Sequence, residues 1–199
     1  MDEDIYRTIA VPAEGYFKNK GSKFLSFAYP VENTEDIKEL VQVLKTKYHD
    51  ARHHCYAYVL GVKGDQFRAN DDREPSGTAG KPILGQIHSN NLTNILVVVV
   101  RYFGGTLLGT SGLIEAYKTA SADVIAKSTI LEKTENKTYK INFDFSIMNE
   151  LLRIIRDEKA TVVSKELMNS GFLEVAVRLK KATVFEEKLH NIKGISIIE

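Results

Sequence analysis

The sequence predicts an α+β protein with two domains, and three observations support that fold class. Short β-branched segments alternate with amphipathic helical segments along all 199 residues. A mostly polar stretch without glycine interrupts them near residues 128–137, as a connector between packed units would. After it, the elements follow the order β-α-β-β-α-β, which is typical of a ferredoxin-like domain. We therefore expect an N-terminal domain at 1–130, a connector at 131–137 and a ferredoxin-like domain at 138–199.

The N-terminal domain is expected to begin with two strands, Arg7–Val11 and Lys23–Tyr29, joined through a basic turn. A helix is predicted from Asn33 or Thr34 to Tyr48, because its apolar residues recur at helical spacing. The remaining predicted elements are a strand at His53–Val62, its hairpin partner at Gln66–Ala69, a helix at Thr78–Ile87, a buried strand at Ile95–Val100 and an alanine-rich helix at Leu113–Ala126.

The C-terminal domain begins with alternating apolar and polar residues at Tyr139–Phe145, the period of a strand. Ser146 is expected to cap the helix that follows. The later elements are predicted to be strands at Thr161–Leu167 and Phe172–Leu179, a helix at Val184–Ile192 and a strand at Ile195–Ile198. This order predicts a four-stranded antiparallel sheet with two helices on one face.

The amino-acid composition restricts the classes of function that this protein can have. The 27 Lys and Arg nearly balance the 26 Asp and Glu, which argues against nucleic-acid binding by bulk charge but allows a local basic patch. The single cysteine, Cys55, excludes an internal disulfide, so a cytoplasmic location is expected. The longest apolar run, Ile95–Val100, is far shorter than the ~20 residues of a membrane helix, so no membrane partner is expected.

A glycine-dense first bend, Asp71–Lys81, leads into a predicted helix. Unpaired N–H groups at a helix start favour an anion, and glycine lets the backbone approach a ligand closely. The alternative is a capped turn whose acidic side chains face the positive helix end. The candidate binding residues are Asp71, Asp72, Glu74, Ser76, Gly77, Thr78, Gly80 and Lys81.

A second bend, Arg101–Gly112, lies between the buried strand and the alanine-rich helix. Strand, glycine-rich turn and helix in succession form the geometry that cradles phosphates, and an arginine adds a fork of donors. The alternative is tight strand-to-helix packing, with Arg101 paired to Asp71, Asp72 or Glu74. The candidates are Arg101, Tyr102, Gly104, Gly105, Gly109, Thr110, Ser111 and Gly112.

Motifs that would indicate an enzyme are missing. No P-loop fits, because Pro75 and Pro82 occupy required positions, and no G-x-G-x-x-G or nucleophile elbow is present. On a strand, at most two of His49, His53, His54 and Cys55 would converge, so neither a metal nor another cofactor is expected. His54 stays a candidate acid or base beside Asp71 or Asp72, although no nucleophile accompanies it.

Four segments resemble the YigZ/IMPACT family in its bacterial two-domain form, over the whole chain: Lys20–Phe24, Ala51–Ala57, Asn70–Pro82 and Val98–Gly109. The resemblance implies an N-terminal β-α domain like domain IV of elongation factor G and the GHMP kinases. It also implies a ferredoxin-like C-terminal domain and, from the eukaryotic members, a link to translation control and ribosomes. Arg73 stands where glycine is more usual, which argues against a positive φ there.

Three functions remain open from the sequence. The leading hypothesis is a non-enzymatic module that binds RNA or the ribosome and regulates translation, with the two bends holding phosphates. The second is an enzyme or switch that binds a phosphorylated small molecule or nucleotide at the glycine-rich bends. The third is an adaptor that binds a protein partner through the ferredoxin-like sheet.

Overall fold

The computed structural model describes residues 4–167 and 171–198 and divides into two compact units. One unit is Tyr6–Lys133, and the other combines residues 4–5 with the described residues from Thr134 onward. Residues 1–3 lie outside the described part. Among the helices of the described residues, none is both long and apolar enough to cross a membrane.

The first unit is built on a five-stranded antiparallel sheet in the order β2-β3-β6-β4-β5, and β1 pairs separately with β7. Its strands are β1 (Ile5–Ile9), β2 (Ala13–Asn19), β3 (Ser22–Pro30), β4 (His53–Leu60), β5 (Gln66–Asn70), β6 (Ile95–Tyr102) and β7 (Ile130–Thr134). Its helices are α1 (Thr34–Lys47), α2 (Gly80–Ser89) and α3 (Gly109–Lys127).

Strand β6 lies at the centre of this sheet and explains the unbroken apolar run in the sequence. Residues Ile95–Val100 are completely buried because helices cover both faces of the sheet. Helices α2 and α3 pack on one face, where Val97 and Val99 point, and α1 packs on the other face, where Val98 and Val100 point.

Strand β2 was not predicted, because its sequence Ala-Glu-Gly-Tyr-Phe-Lys-Asn has no clear apolar face. It forms a hairpin with β3 through the two-residue loop Lys20–Gly21, where φ is 43° and 81°. Positive φ at both loop positions is the geometry that a tight hairpin requires, and glycine supplies it at the second position without strain. The basic turn of the sequence is therefore a hairpin tip.

Strands occupy the stretch that was expected to connect two domains. Residues 130–134 form β7, which pairs with β1, and the next strand begins at Asn136. Hydrogen bonding to β1 explains why this polar stretch is extended, since its side chains are mostly exposed.

The second unit contains the predicted β-α-β-β-α-β order in an antiparallel sheet β11-β8-β10-β9. A core of 13 buried apolar residues lies between one face of the sheet and the two helices. Asp144, and not Ser146, caps the first helical turn: its carboxylate accepts the Ser146 N–H at 2.9 Å. The elements are β8 (Asn136–Phe143), α4 (Met148–Asp157), β9 (Thr161–Leu167), β10 (Gly171–Arg178), α5 (Ala182–His190) and β11 (Ile195–Ile198).

Candidate functional site

The two glycine-dense bends meet in the first unit and border a cavity of about 490 Å³. The first bend contributes Arg73, Glu74 and Pro75, and the second contributes Arg101, Phe103 and Leu107–Thr110. Strand β6 explains why they meet: Arg101 near its end lies opposite His53, the first residue of β4. Three arginines therefore border one space, because Arg52 lines it as well.

The innermost wall of the cavity is a buried ion pair. Arg101 donates from Nη1 to Oε1 of Glu74 at 2.6 Å, and the side chains are only 6% and 3% exposed. Of the acidic partners that the sequence left open for Arg101, the structure selects Glu74. The guanidinium also lies over the rings of Phe24 and Phe103, at 5.6 and 5.8 Å. Its Nε is buried and has no hydrogen-bond partner among the described residues.

Tyr117, Cys55 and His53 also surround Glu74, and His53 Nε2 lies 3.9 Å from its Oε1. The Tyr117 hydroxyl donates to Oε1 of Glu74 at 2.9 Å, and Cys55 Sγ lies 3.3 Å from that hydroxyl. Burial raises the pKa of both Cys55 and Tyr117 far above the ordinary values. Both groups therefore stay protonated at neutral pH, and neither is an activated nucleophile.

The amide groups of the first bend are already occupied by Asp71. Its carboxylate accepts N–H groups from Gly77 at 2.8 Å, Ala79 at 3.0 Å and Gly80 at 2.8 Å. Burial by itself raises the pKa of Asp71, but these three donors outweigh it and the net pKa is lowered. The start of α2 thus holds an internal anion in place of the external one expected there.

The other residues of the first bend have structural contacts or are exposed. Thr78 donates to the carbonyl oxygen of Pro75 at 2.6 Å, so neither it nor Ser76 caps α2, which begins at Gly80. A Cβ on Gly80 would lie 2.6 Å from the Asn70 nitrogen, so the bend needs glycine there. Ser76 and Lys81 are exposed.

Asp72 organises the start of β4. Its Oδ2 accepts the His54 N–H at 2.7 Å, and Lys45 Nζ lies 3.7 Å from Oδ1. The His54 ring reaches the Tyr48 carbonyl oxygen at 3.2 Å, and burial lowers its pKa despite the nearby Asp72. His54 thus contacts the end of α1, whereas the neighbouring His53 lines the cavity.

Arg73 adopts a positive φ of 72°, and Asp72 before it has φ of 35°. An arginine where glycine is more usual argued against a positive φ at this position, and the structure shows that this expectation was wrong. The Arg73 side chain donates a hydrogen bond from Nη2 to the Arg52 carbonyl oxygen at 2.8 Å. This bond fixes the side chain and offsets part of the backbone strain. The same contact places two arginines side by side at the cavity.

The second bend brings the start of α3 to the cavity. Gly109 is the first residue of α3 and has φ of 70°, and it lines the cavity together with Leu108 and Thr110. No side chain caps this helix, in contrast to α2 with Asp71 nearby. Ser111 and Gly112 belong to the first turn of α3. Gly105, earlier in the bend, has φ of 86°.

Gly104 and Tyr102 position the bend from outside the cavity. A Cβ on Gly104 would lie 1.9 Å from the Gly21 carbonyl carbon, so the bend packs directly on the hairpin tip. The Tyr102 hydroxyl donates to Asp50 at 2.7 Å, and burial together with this carboxylate raises the Tyr102 pKa to about 12. Phe103, and not Tyr102, is therefore the aromatic residue that lines the cavity beside Arg101.

The residues that line the cavity without having been candidates from the sequence are Arg52, His53, Arg73, Pro75, Phe103, Leu107, Leu108 and Leu113. The register of β4 against β6, which places His53 opposite Arg101, brings His53 to the cavity. The alternation of His53 and His54 along a strand was visible in the sequence, but it could not show which side faces the cavity. No cluster of three or more His, Cys, Asp or Glu side chains suited to a metal is found in residues 4–167 and 171–198.

Comparisons with known proteins identify the family. Residues 20–125 match the model of the Impact N-terminal domain. The IMPACT family member YigZ of Escherichia coli is 32% identical over 182 residues, covering 90% of this chain and 89% of that protein. The chain belongs to the IMPACT family.

Solved structures extend this comparison. A crystal structure described as that of a hypothetical protein is 29% identical, covers 98% of both chains and has a TM-score of 0.73. A structure described as the two-domain translational regulator Yih1 is 27% identical and covers 61% of this chain and 47% of that chain, with a TM-score of 0.37. The first of these shows that the mixed α/β fold described above is shared with a relative.

Arg101→Ala is expected to destabilise the protein by about 3–5 kcal/mol, because it leaves the Glu74 carboxylate buried without its cation. Urea denaturation of the purified variant measures this loss. Arg68→Ala, a change at an exposed arginine of β5, serves as the control and should cost less than about 0.5 kcal/mol. A loss below about 1 kcal/mol for Arg101→Ala would show that the pair is not a structural centre.

Gly104→Ala should destabilise by roughly 1–3 kcal/mol or more, because the new methyl group meets the backbone of Gly21 and Ser22. Gly85→Ala in α2 is the matched control, since a Cβ there meets nothing within 4 Å and alanine favours a helix by about 1 kcal/mol. Thermal melting should move in opposite directions for the two variants. Equal shifts would contradict the close contact.

Asp71→Asn should destabilise the protein at pH 7 by roughly 1–3 kcal/mol, because three N–H groups lose a charged acceptor. Since the folded pKa of Asp71 is lowered, its ionised form stabilises above the unfolded value of about 3.9, and this contribution disappears as pH falls through the folded pKa. Denaturation at several pH values should show the two proteins converging in acid. A difference that stays constant down to pH 2 would refute this assignment.

Proposed function

We propose that this protein is a non-enzymatic module that binds RNA or the ribosome and takes part in regulating translation. The observation that carries the proposal is the cavity in which the start of α3 and the side chains of Arg52 and Arg73 face one space. Helix N-termini and arginines are the groups that hold phosphate oxygens in proteins.

The charge balance of the cavity favours an anionic ligand. Glu74 neutralises Arg101, so the excess positive charge comes from Arg52 and Arg73, both exposed. Neither of them forms an ion pair with a carboxylate of the described residues. Phe103 is 45% exposed beside them and offers a ring on which a base can stack. The arginines and Phe103 can thus contact the phosphate and the base of a nucleotide at one place.

The link to translation comes from the family. This chain belongs to the IMPACT family, and the resemblance described above associates the eukaryotic members with translation control and ribosomes. We extend that association to this chain as part of the proposal. A module with a net charge of +1 is expected to bind through local contacts, so its salt dependence should reflect only the phosphates that it contacts.

A nucleotide-binding switch is the second candidate, and the cavity volume favours it. About 490 Å³ lies in the range of sites for small ligands, and the start of α3 could hold the phosphates of a free nucleotide. The protonated Cys55 and Tyr117 and the paired Glu74 offer no activated group for catalysis, so binding without reaction is the form of this alternative that we retain.

An adaptor function rests on the second unit. A groove of about 500 Å³ is bordered by α4 and the edge strand β9, where Val162, Val163 and Leu167 are exposed. Exposed apolar side chains on an edge strand are typical of protein contacts. Nothing on that surface indicates a particular partner, so we place this function third.

The double variant Arg52→Gln/Arg73→Gln should weaken binding to a single-stranded RNA and to purified ribosomal subunits. Each lost phosphate contact should reduce the slope of log affinity against log salt by about 0.7. Fluorescence anisotropy at several salt concentrations measures both effects, and Arg68→Gln is the control for loss of an exposed arginine.

Unchanged RNA affinity in the double variant would contradict the role of the cavity. Stabilisation of the wild-type protein by nucleotide with Mg²⁺, together with no RNA binding, would favour the second candidate. Crosslinking in cells followed by sequencing of the recovered RNA provides an independent measurement, and recovery of ribosomal RNA is the expected result.

A further inference from the structure

A second surface of the first unit combines aromatic rings with lysines at the tip of the β2–β3 hairpin. Tyr16 is paired with Leu25, and Lys23 is paired with both Lys18 and Tyr102, so these side chains share one face of the sheet. Phe17 and Phe24 alternate with them and pack in the core on the other face. We call this set of residues (Tyr16, Lys18, Lys20, Lys23, Leu25 and Tyr102) the hairpin face.

The hairpin face is open to solvent and has the shape of a shallow binding site. A cavity of about 520 Å³ is lined by Tyr16, Lys23, Leu25, Tyr102 and Phe103, with Gly21 at the hairpin tip. The Tyr16 side chain is 47% exposed, although a tyrosine on a sheet face that a helix covers can be buried. Rings held on a strand present flat apolar surfaces to a ligand without further ordering.

Positive charge is concentrated at this end of the sheet. Lys18, Lys20 and Lys23 are exposed, and none is within ion-pair distance of a carboxylate of the described residues. Because the chain as a whole is nearly neutral, three unpaired lysines on one hairpin are a local feature. The acidic groups on this face are Glu14, farther along β2 from the tip, and Asp50, which accepts the Tyr102 hydroxyl.

The hairpin face is fixed to the cavity between the two bends. Gly21 and Gly104 are in backbone contact, and the Ser22 hydroxyl accepts the Gly104 N–H at 3.2 Å. Phe103 follows directly and lines both cavities. A chain-like ligand with a phosphate in the first cavity can therefore continue past Phe103 onto the hairpin face.

We propose that the hairpin face binds single-stranded RNA, with bases stacked on Tyr16 and Phe103 and phosphates contacted by the three lysines. The inference rests on the proposed function and adds a binding surface and a substrate class to it. Stacking requires free base faces, which a duplex does not offer, and this favours a single strand. Rings alternating with unpaired lysines match the aromatic and phosphate contacts of sites that bind single strands.

The test measures affinity for a 12-nucleotide single-stranded RNA by fluorescence anisotropy over a range of salt. Lys18→Gln/Lys20→Gln/Lys23→Gln should reduce the salt slope by roughly 2, at about 0.7 per phosphate contact. Lys38→Gln/Lys63→Gln/Lys118→Gln, a change of the same charge at exposed lysines elsewhere in the unit, is the control and should leave the slope unchanged.

Tyr16→Ala should weaken binding about fivefold or more, as expected from the loss of one stacked base, whereas Tyr16→Phe keeps the ring and should bind like the wild type. Thermal melting of each variant confirms that it is folded before binding is measured. A 12-base-pair RNA duplex should bind more weakly than the single strand.

The outcomes separate this inference from the proposed function. If the wild type binds RNA and Arg52→Gln/Arg73→Gln weakens it while the hairpin variants bind normally, the hairpin face is not an RNA site and the proposed function stands. Duplex binding as tight as single-strand binding also overturns the inference. If the wild type binds no RNA but binds ribosomal subunits, the inference fails and the proposed function stands; if it binds neither, both proposals fail.

Discussion

The buried pair of Glu74 and Arg101 is the interaction on which the arrangement of the first unit depends. It joins the first bend to the end of the central strand β6, and Tyr117 of α3 donates to the same carboxylate. Removing either charge of a pair this deeply buried leaves the other uncompensated, which is strongly destabilising. The pair therefore fixes the positions of β6, α3 and the first bend together.

Each bend leads into the start of a helix, but only one of the two helix starts has its amide groups occupied by a side chain. At the start of α2, three amide groups are taken by the Asp71 carboxylate, so the positive end of that helix is neutralised internally. At the start of α3, no side chain caps the helix, and its first residues line the cavity. The first bend thus has its amide groups occupied internally, and the start of α3 at the second bend faces the cavity.

Backbone contact links the hairpin to this site. Gly21 and Gly104 approach so closely that neither could carry a side chain without displacing the other segment. Lys20 and Gly21 adopt the positive φ of a two-residue turn, and Lys23 after this turn lines the same cavity as Phe103. The proposed RNA contacts on the hairpin are thus held next to the cavity by glycines whose role is steric.

The sequence by itself determined the elements with strong periodicity: the buried strand around Ile95–Val100, the helix α1 and the β-α-β-β-α-β order of the second unit. It also marked both bends, because dense glycines at element junctions are visible without a structure. It missed β2, where no apolar face is continuous, and it could not choose among Asp71, Asp72 and Glu74 as the partner of Arg101. The choice of Glu74 follows from the packing of the first bend against the end of β6, and the selection of His53 over His54 follows from the register of β4 on β6. Both are set only by packing over many residues.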